Sequence, residues 1–185
     1  MNRFQIILIL TLVINTFALG QSPTDKSKNP EKETIEWKSL SDDKYEIKYP
    51  STWDVDKSGQ MGTSFFLFSP LTDKSDNFKE NVNLLIQDLA GHNMTLDQFI
   101  ELSEGQIKTM LTEGELLLSE RKKDKKPEYQ KLIFIGKQGI FDLKFEQFYW
   151  LINDKAYVLT LTCKKDEFDK YQEIGEKILN SLEIK

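Results

Sequence analysis

Cysteine and histidine are almost missing from this chain: its 185 residues hold one of each, Cys163 and His92. A lone cysteine rules out an internal disulfide, so packing alone must hold the fold. One histidine and one cysteine cannot supply the several nitrogen and sulfur ligands of a zinc centre. The glycine patterns of a phosphate-binding loop and of a dinucleotide fold are missing, and so is a Gly-x-Ser-x-Gly elbow. Basic character is lacking too. Lys and Arg number 25 against 30 Asp and Glu, a net charge of −5. A nucleic-acid binder would show a basic stripe, so no nucleic-acid partner is expected.

The first twenty residues supply an address. Arg3 is followed by a mostly apolar stretch from Phe4 to Val13, then Ala18-Leu19-Gly20, then the polar run Gln21-Ser22-Pro23-Thr24. That order is the grammar of a secretory signal peptide, with cleavage expected between Gly20 and Gln21. The apolar stretch falls short of the ~20 residues a membrane-spanning helix needs, so no integral membrane segment is expected after cleavage. A lipoprotein would carry cysteine at the cleavage point, where this chain has Gln21. The reading is an exported, soluble protein, periplasmic or secreted. The segment 21–34 has no large apolar residue and reads as a disordered leader. Residues 35–185 read as a single globular domain, long enough to bury about 70% of the surface its unfolded chain exposes.

Within that domain, Ile35 and Trp37 alternate with charged residues, and so do Tyr45, Ile47 and Tyr49 before Pro50. Phe65 to Phe68 and the alternating Val82, Leu84 and Ile86 add further strands. Thr95 and Gln98 have the spacing of a capping box. Leu96, Phe99, Ile100, Ile107, Met110 and Leu111 then share a helical face, with Gly114 expected to close the segment. Leu116 to Glu120 and Leu132 to Ile135 read as strands around the basic cluster Arg121-Lys122-Lys123-Asp124-Lys125-Lys126. That cluster is read as a solvated hairpin loop, with contact to an anionic partner as the sharper alternative. A last helix spans about Asp166 to Leu182, its stripe made by Phe168, Tyr171, Ile174, Ile178 and Leu182, with Gly175 a point of close packing.

From Phe141 to Cys163 the pattern predicts a hairpin turning at Asn153-Asp154, with Trp150 opposite Tyr157 and Phe148 opposite Leu159. Phe141, Leu143 and Phe145 fall on one parity and Phe148, Trp150 and Ile152 on the other. A β-bulge near Glu146-Gln147 would bring them to one face, setting Phe145 against Leu161 and Leu143 against Cys163. Tyr149, Leu151, Ala156 and Val158 make the reverse face apolar as well. Both faces are therefore expected to be covered, in an α+β architecture with helices on both faces of an antiparallel sheet. Cys163, at the end of the run Tyr157-Leu159-Leu161-Cys163, is expected to be buried and inert.

Tyr45-Glu46-Ile47-Lys48-Tyr49-Pro50-Ser51-Thr52-Trp53, Phe65-Phe66-Leu67-Phe68-Ser69-Pro70, Asn81-Val82-Asn83-Leu84, Thr95-Leu96-Asp97-Gln98-Phe99 and Ala156-Tyr157-Val158-Leu159-Thr160-Leu161-Thr162 occur in this order before a C-terminal helix. In order and spacing they resemble the PsbP-like family, which shares its fold with DcrB-like periplasmic proteins and a Ran-binding import factor. The resemblance covers roughly Tyr45 to Ile184 and implies an α/β/α sandwich. It implies no reaction, since members are mostly accessory or binding proteins, and the signal peptide sets nuclear import aside.

No catalytic, metal or cofactor residues are therefore expected. The expected function is that of a non-catalytic accessory or binding domain of the cell envelope, its partner an envelope protein or small ligand. Tyr49, Trp53 and His92 are the residues a ligand or partner would touch, Trp53 being read first as core packing. Asp42-Asp43 and the pair Asp73 and Asp76 could gather calcium but lack EF-hand spacing and read as loop residues. Asn93-Met94-Thr95 is a glycosylation sequon that matters only in a eukaryotic secretory pathway. The alternative is a hydrolase built on carboxylates or on His92 as base.

Overall fold

The structure, a computed structural model, describes residues 35–185. The expected signal peptide, its cleavage point between Gly20 and Gln21, and the leader 21–34 lie outside the described residues. Among those described, the elements run β1 (Trp37–Ser41), β2 (Tyr45–Pro50), β3 (Asp54–Asp56), β4 (Thr63–Phe68), β5 (Asn81–Asp88), α1 (Leu96–Met110), β6 (Thr112–Lys122), β7 (Tyr129–Gln138), β8 (Phe141–Ile152), β9 (Lys155–Lys164), α2 (Phe168–Leu179) and β10 (Glu183–Ile184). Seven strands form a sheet in the order β3-β4-β5-β9-β8-β7-β6, and β1, β2 and β10 form a smaller one in the order β1-β2-β10. The strand pairs are antiparallel. The class is α+β.

The β8–β9 hairpin turns where expected. Asn153 and Asp154 both take positive φ, 49° and 56°. Those values suit a two-residue turn whose twist matches the flanking strands. Trp150 faces Tyr157 and Phe148 faces Leu159. Beyond them the ladder continues unbroken, Gln147 opposite Thr160, Glu146 opposite Leu161, Phe145 opposite Thr162 and Leu143 opposite Lys164. The bulge near Glu146-Gln147 is therefore absent, and the pairings of Phe145 with Leu161 and of Leu143 with Cys163 are corrected.

The parity change has another cause. Successive strand residues point to opposite faces. Phe148 and Trp150 belong to a cluster with Phe168, Ile178 and Leu179 of α2. Leu143, Phe145 and Tyr149 belong to a second cluster with Phe99, Ile100 and Ile107 of α1. The first half of β8 sends Leu143 and Phe145 to the α1 core alone, whereas its second half feeds both cores, Phe148 and Trp150 one and Tyr149 the other, so the parity changes without a bulge. Register shifts occur elsewhere, between Thr63 and Phe65 in β4 and at two points in the edge strand β6.

Both helices begin or pack as the sequence implies but stop earlier. The Thr95 hydroxyl accepts from the Gln98 amide at 3.2 Å, and the Gln98 side chain accepts from the Thr95 amide at 2.9 Å. Together they satisfy two donors at the start of α1. The helix ends at Met110, because Leu111 is already extended, and Gly114 lies inside β6. Met110 is 62% exposed and leaves the expected apolar face. Helix α2 ends at Leu179, and Gly175 lies directly against Leu161 of β9, leaving no room for a Cβ. The basic cluster is split: Arg121 and Lys122 close β6, and the loop proper begins after them.

Candidate functional site

The described residues form a cleft where three segments meet. Tyr129 opens β7 and faces Lys122 across the β6–β7 pair. Phe148 and Trp150 come from alternate positions of β8 and so project to the same face. Leu179 ends α2, with Asn180 and Leu182 just beyond it. Lys125, Lys126 and Pro127 complete the lining from the β6–β7 loop, around a cavity of about 440 Å³. That volume is within the ~300–1,000 Å³ typical of small-ligand sites.

The aromatic wall is mutually supported. Tyr129 stacks on Phe148 with ring centroids 4.5 Å apart, and the Trp150 ring lies 5.2 Å from Tyr129 and 5.9 Å from Phe148. Tyr129, Phe148 and Trp150 are 7%, 2% and 6% exposed, so each shows the cleft only a small part of its surface. Such ring pairs add about 0.5–1.5 kcal/mol each beyond their area burial, and they fix the wall's shape before any ligand arrives. Asn180 is fastened by its side-chain amide, which donates to the Glu176 carbonyl at 2.7 Å. Burial pushes the Tyr129 hydroxyl above its ordinary pKa, though Lys122 and Lys131 pull it down.

Charge is distributed unevenly around this wall. Lys131 faces Phe148 in the β7–β8 ladder and holds its ammonium 5.7 Å from the Phe148 ring centre. The same ammonium pairs with Glu146 at 2.6 Å and Glu176 at 3.2 Å. Burial pushes the Glu146 carboxyl above its ordinary pKa, and the neighbouring ammonium offsets only part of this. Burial lowers Lys131, but the two carboxylates outweigh it and leave its pKa raised. Among the described residues, Lys125 and Lys126 are exposed and make no ion pair.

The residues picked from sequence lie elsewhere. Tyr49 and Trp53 are buried together in the cluster that α2 joins, as core. His92 is exposed in the turn after β5, where its amide donates to the Leu89 carbonyl at 3.0 Å. Neither Tyr49, Trp53 nor His92 lines the cleft. Asp42 and Asp73 accept bonds from the backbone amides of Lys44 and Ser75 in local turns. Asp76 is more enclosed, accepting from Thr72 and Phe78 amides and from Lys164. Ser69 donates to Glu80 at 3.3 Å, both fully buried. Among the described residues, no group of three or more His, Cys, Asp or Glu gathers as a metal site requires. Of the cleft residues, only the lysines carried a sequence signal, in the anionic-contact reading of the basic cluster.

No protein-family model matches the sequence, and no curated protein sequence matches it. Solved structures do. Cyanobacterial PsbP (CyanoP) from Synechocystis sp. PCC 6803 superposes with a TM-score of 0.63 at 16% identity, covering 86% of this chain and 98% of that one. LpqN, involved in cell envelope biogenesis of Mycobacterium tuberculosis, gives 0.61 at 14% identity, covering 81% and 91%. A Pseudomonas aeruginosa protein of unknown function gives 0.56 at 9% identity, covering 78% and 94%. The chain therefore has the PsbP-like fold, shared with DcrB-like proteins. Among the described residues, no helix is long and apolar enough to cross a membrane.

Proposed function

We propose that this chain is an exported PsbP-like domain of the cell envelope that acts by binding, without catalysis, through the lysine-rimmed aromatic cleft. The observation that carries this reading is the cleft itself, an open cavity of about 440 Å³ set over the largely buried Tyr129, Phe148 and Trp150 rings and rimmed by the exposed Lys125 and Lys126. The signal-peptide grammar of residues 1–20 supports export, and the envelope role of the M. tuberculosis neighbour fits that setting. The α1 and α2 clusters on alternate residues of β8 support a sandwich with a helix on each face of the larger sheet. The site needs no cofactor or metal for this role.

The test is retention of an envelope component by the tagged full-length protein in its host, compared with Asn180→Trp. That substitution places an indole at the exposed edge of the cleft without entering the core. Loss of the component in the variant is expected, and equal retention by both proteins would remove the cleft from the function.

A further inference from the structure

We infer that the free edge of the larger sheet, strand β6, pairs antiparallel with β6 of a second copy of this chain, about a two-fold axis at Ser119. This surface is separate from the cleft and needs no ligand in it.

In the strand order β6 is terminal and pairs only with β7, so among the described residues no strand lies against its outer side. It spans eleven residues, Thr112–Lys122. The opposite edge, β3, has three. A long open edge presents unpaired amides and carbonyls to a further strand. Two register shifts shorten the regular stretch of β6 without covering it. From Leu118 to Lys122 the strand runs residue for residue against Ile133 to Tyr129. Leu117 and Leu118, in the middle of this edge, are 47% and 36% exposed.

The order of charge along β6 selects the occupant. Its first half carries Glu113 and Glu115, its middle Leu116, Leu117 and Leu118, and its end Arg121 and Lys122, with Lys123 following. Two copies paired in parallel would set acid on acid and base on base. Paired antiparallel, each acidic half lies on a basic half and the leucines gather between them. The two-fold axis of such a pair stands perpendicular to the sheet, so each face continues into the same face of the other copy.

The faces can be followed residue by residue. Glu115, Leu118, Glu120 and Lys122 stand opposite Ile135, Ile133, Lys131 and Tyr129, which alternate along β7, so these four share one face. The shift between Leu116 and Leu118 takes Leu117 out of the count. With Ser119 on the axis, Glu115 then falls opposite Lys122 of the second copy, and Leu118 opposite Glu120. Each contact occurs twice. Within one chain, Glu113 already pairs with Lys137, and Arg121 with Asp97 and Glu128. Among the described residues Glu115 makes no ion pair, and Lys122 pairs only with the solvent-reached Glu120. Glu115 and Lys122 are therefore the complementary charges this edge has left to offer. In the dimer both clefts open to the same side of the continuous sheet.

The test is sedimentation equilibrium of the full-length protein from about 1 μM to about 500 μM, the range of weak association that a small interface gives. A monomer–dimer equilibrium is expected. Glu115→Lys alone and Lys122→Glu alone should each weaken it at least tenfold, because each sets like charges opposite one another at both ends of the pair. An equimolar mixture of the two variants should recover the dimer to within about threefold of the parent, since the mixed pair has opposite charges at both ends. Within one chain the two positions lie about 20 Å apart along the strand, so only contact between copies gives that recovery. Ser119→Lys, which sets two cations face to face on the axis, should abolish the dimer independently. An unchanged melting temperature shows that each variant is folded. A protein that stays monomeric throughout, a dimer indifferent to these substitutions, or a mixture that remains monomeric overturns the proposal.

Discussion

Replacing Lys131 by methionine is the sharpest test of the electrostatics behind the cleft. Glu146 is fully buried, and among the described residues no donor other than the Lys131 ammonium reaches its carboxylate. At 2.6 Å and an effective dielectric of about 20, the attraction is about 6 kcal/mol. Desolvation of the two ions costs several kcal/mol each, so the intact pair contributes little net stability. Removing one partner is different, because the buried carboxylate keeps its cost and loses its compensation. Lys131→Met should therefore cost about 3–5 kcal/mol at pH 7.5. With a urea slope of about 2 kcal/mol/M, the midpoint falls by about 1.5–2.5 M. Lys131→Met combined with Glu146→Leu should return to within about 1 kcal/mol of the parent, since an apolar pair replaces a buried ion pair at little cost. The pH dependence carries a sign. Burial already raises the Glu146 carboxyl above 4.5, and losing the ammonium raises it further. A carboxyl raised in the folded state contributes stability below its unfolded value and loses it as pH rises through the folded one. The deficit of Lys131→Met should thus shrink steadily from pH 8 toward pH 4.5. A loss under about 1 kcal/mol at pH 7.5, or one independent of pH, would refute the assignment of Glu146 as a buried charge.

Two further outcomes follow from the same structure. Asp76 behaves in the opposite sense to Glu146. Burial raises it, but the Thr72 and Phe78 amides, Lys164 and the Thr72 hydroxyl outweigh this and bring it down to about 2. Its stability contribution is present above its ordinary value of 3.8 and is lost as pH falls toward about 2. Asp76→Asn should cost about 1.5–3 kcal/mol at pH 7 and flatten the unfolding curve below pH 4, read by thermal melts across pH. Gly175→Ala sets a helix-propensity gain of about 1 kcal/mol against about 1–3 kcal/mol for displacing Leu161. A net loss of up to about 2 kcal/mol is expected, a fall in Tm of about 4–8 °C. Adding Leu161→Val should make the alanine less costly, and a stabilising Gly175→Ala in the parent would contradict the close packing.

Local signals in the sequence correspond well with the structure. Thr95 with Gln98, and Asn153 with Asp154, each encode their geometry within four residues, so no tertiary information is needed to read them. The predicted bulge in β8 fails for an identifiable reason. It assumes that all bulky residues seek one face, whereas Phe145 and Phe148 seek different cores. Strands β3 and β10, at three and two residues, are too short to show any period. Trp53 draws attention through its position after Pro50, yet it is core; its first reading was correct and its sharper one is not supported by the lining. The cleft could not be read because its parts lie in three separate stretches, two joined by the β7–β8 register and the third brought in by the packing of α2.

The position of the cleft also has a geometric reason. A helix is about 10 Å across and strands repeat at about 4.8 Å, so one helix shields about two strands of a sheet. Helix α2 packs on β9, β5 and β2. In the strand order, β8 and β7 lie on the far side of β9 from β5. Phe148, Trp150 and Tyr129 project on that side, and they are enclosed by the end of α2 and by the Lys125-Lys126-Pro127 loop rather than by the body of a helix. A loop and a helix end close less tightly than the body of a packed helix, which leaves a cavity here. The charges follow from the same circumstance. The loop is solvent-exposed and can carry lysines at no desolvation cost, whereas Lys131, one residue pair further in, has to be neutralised by Glu146 and Glu176. The gradient from paired cation inside to exposed cations at the mouth is thus a consequence of where the sheet outruns its helix.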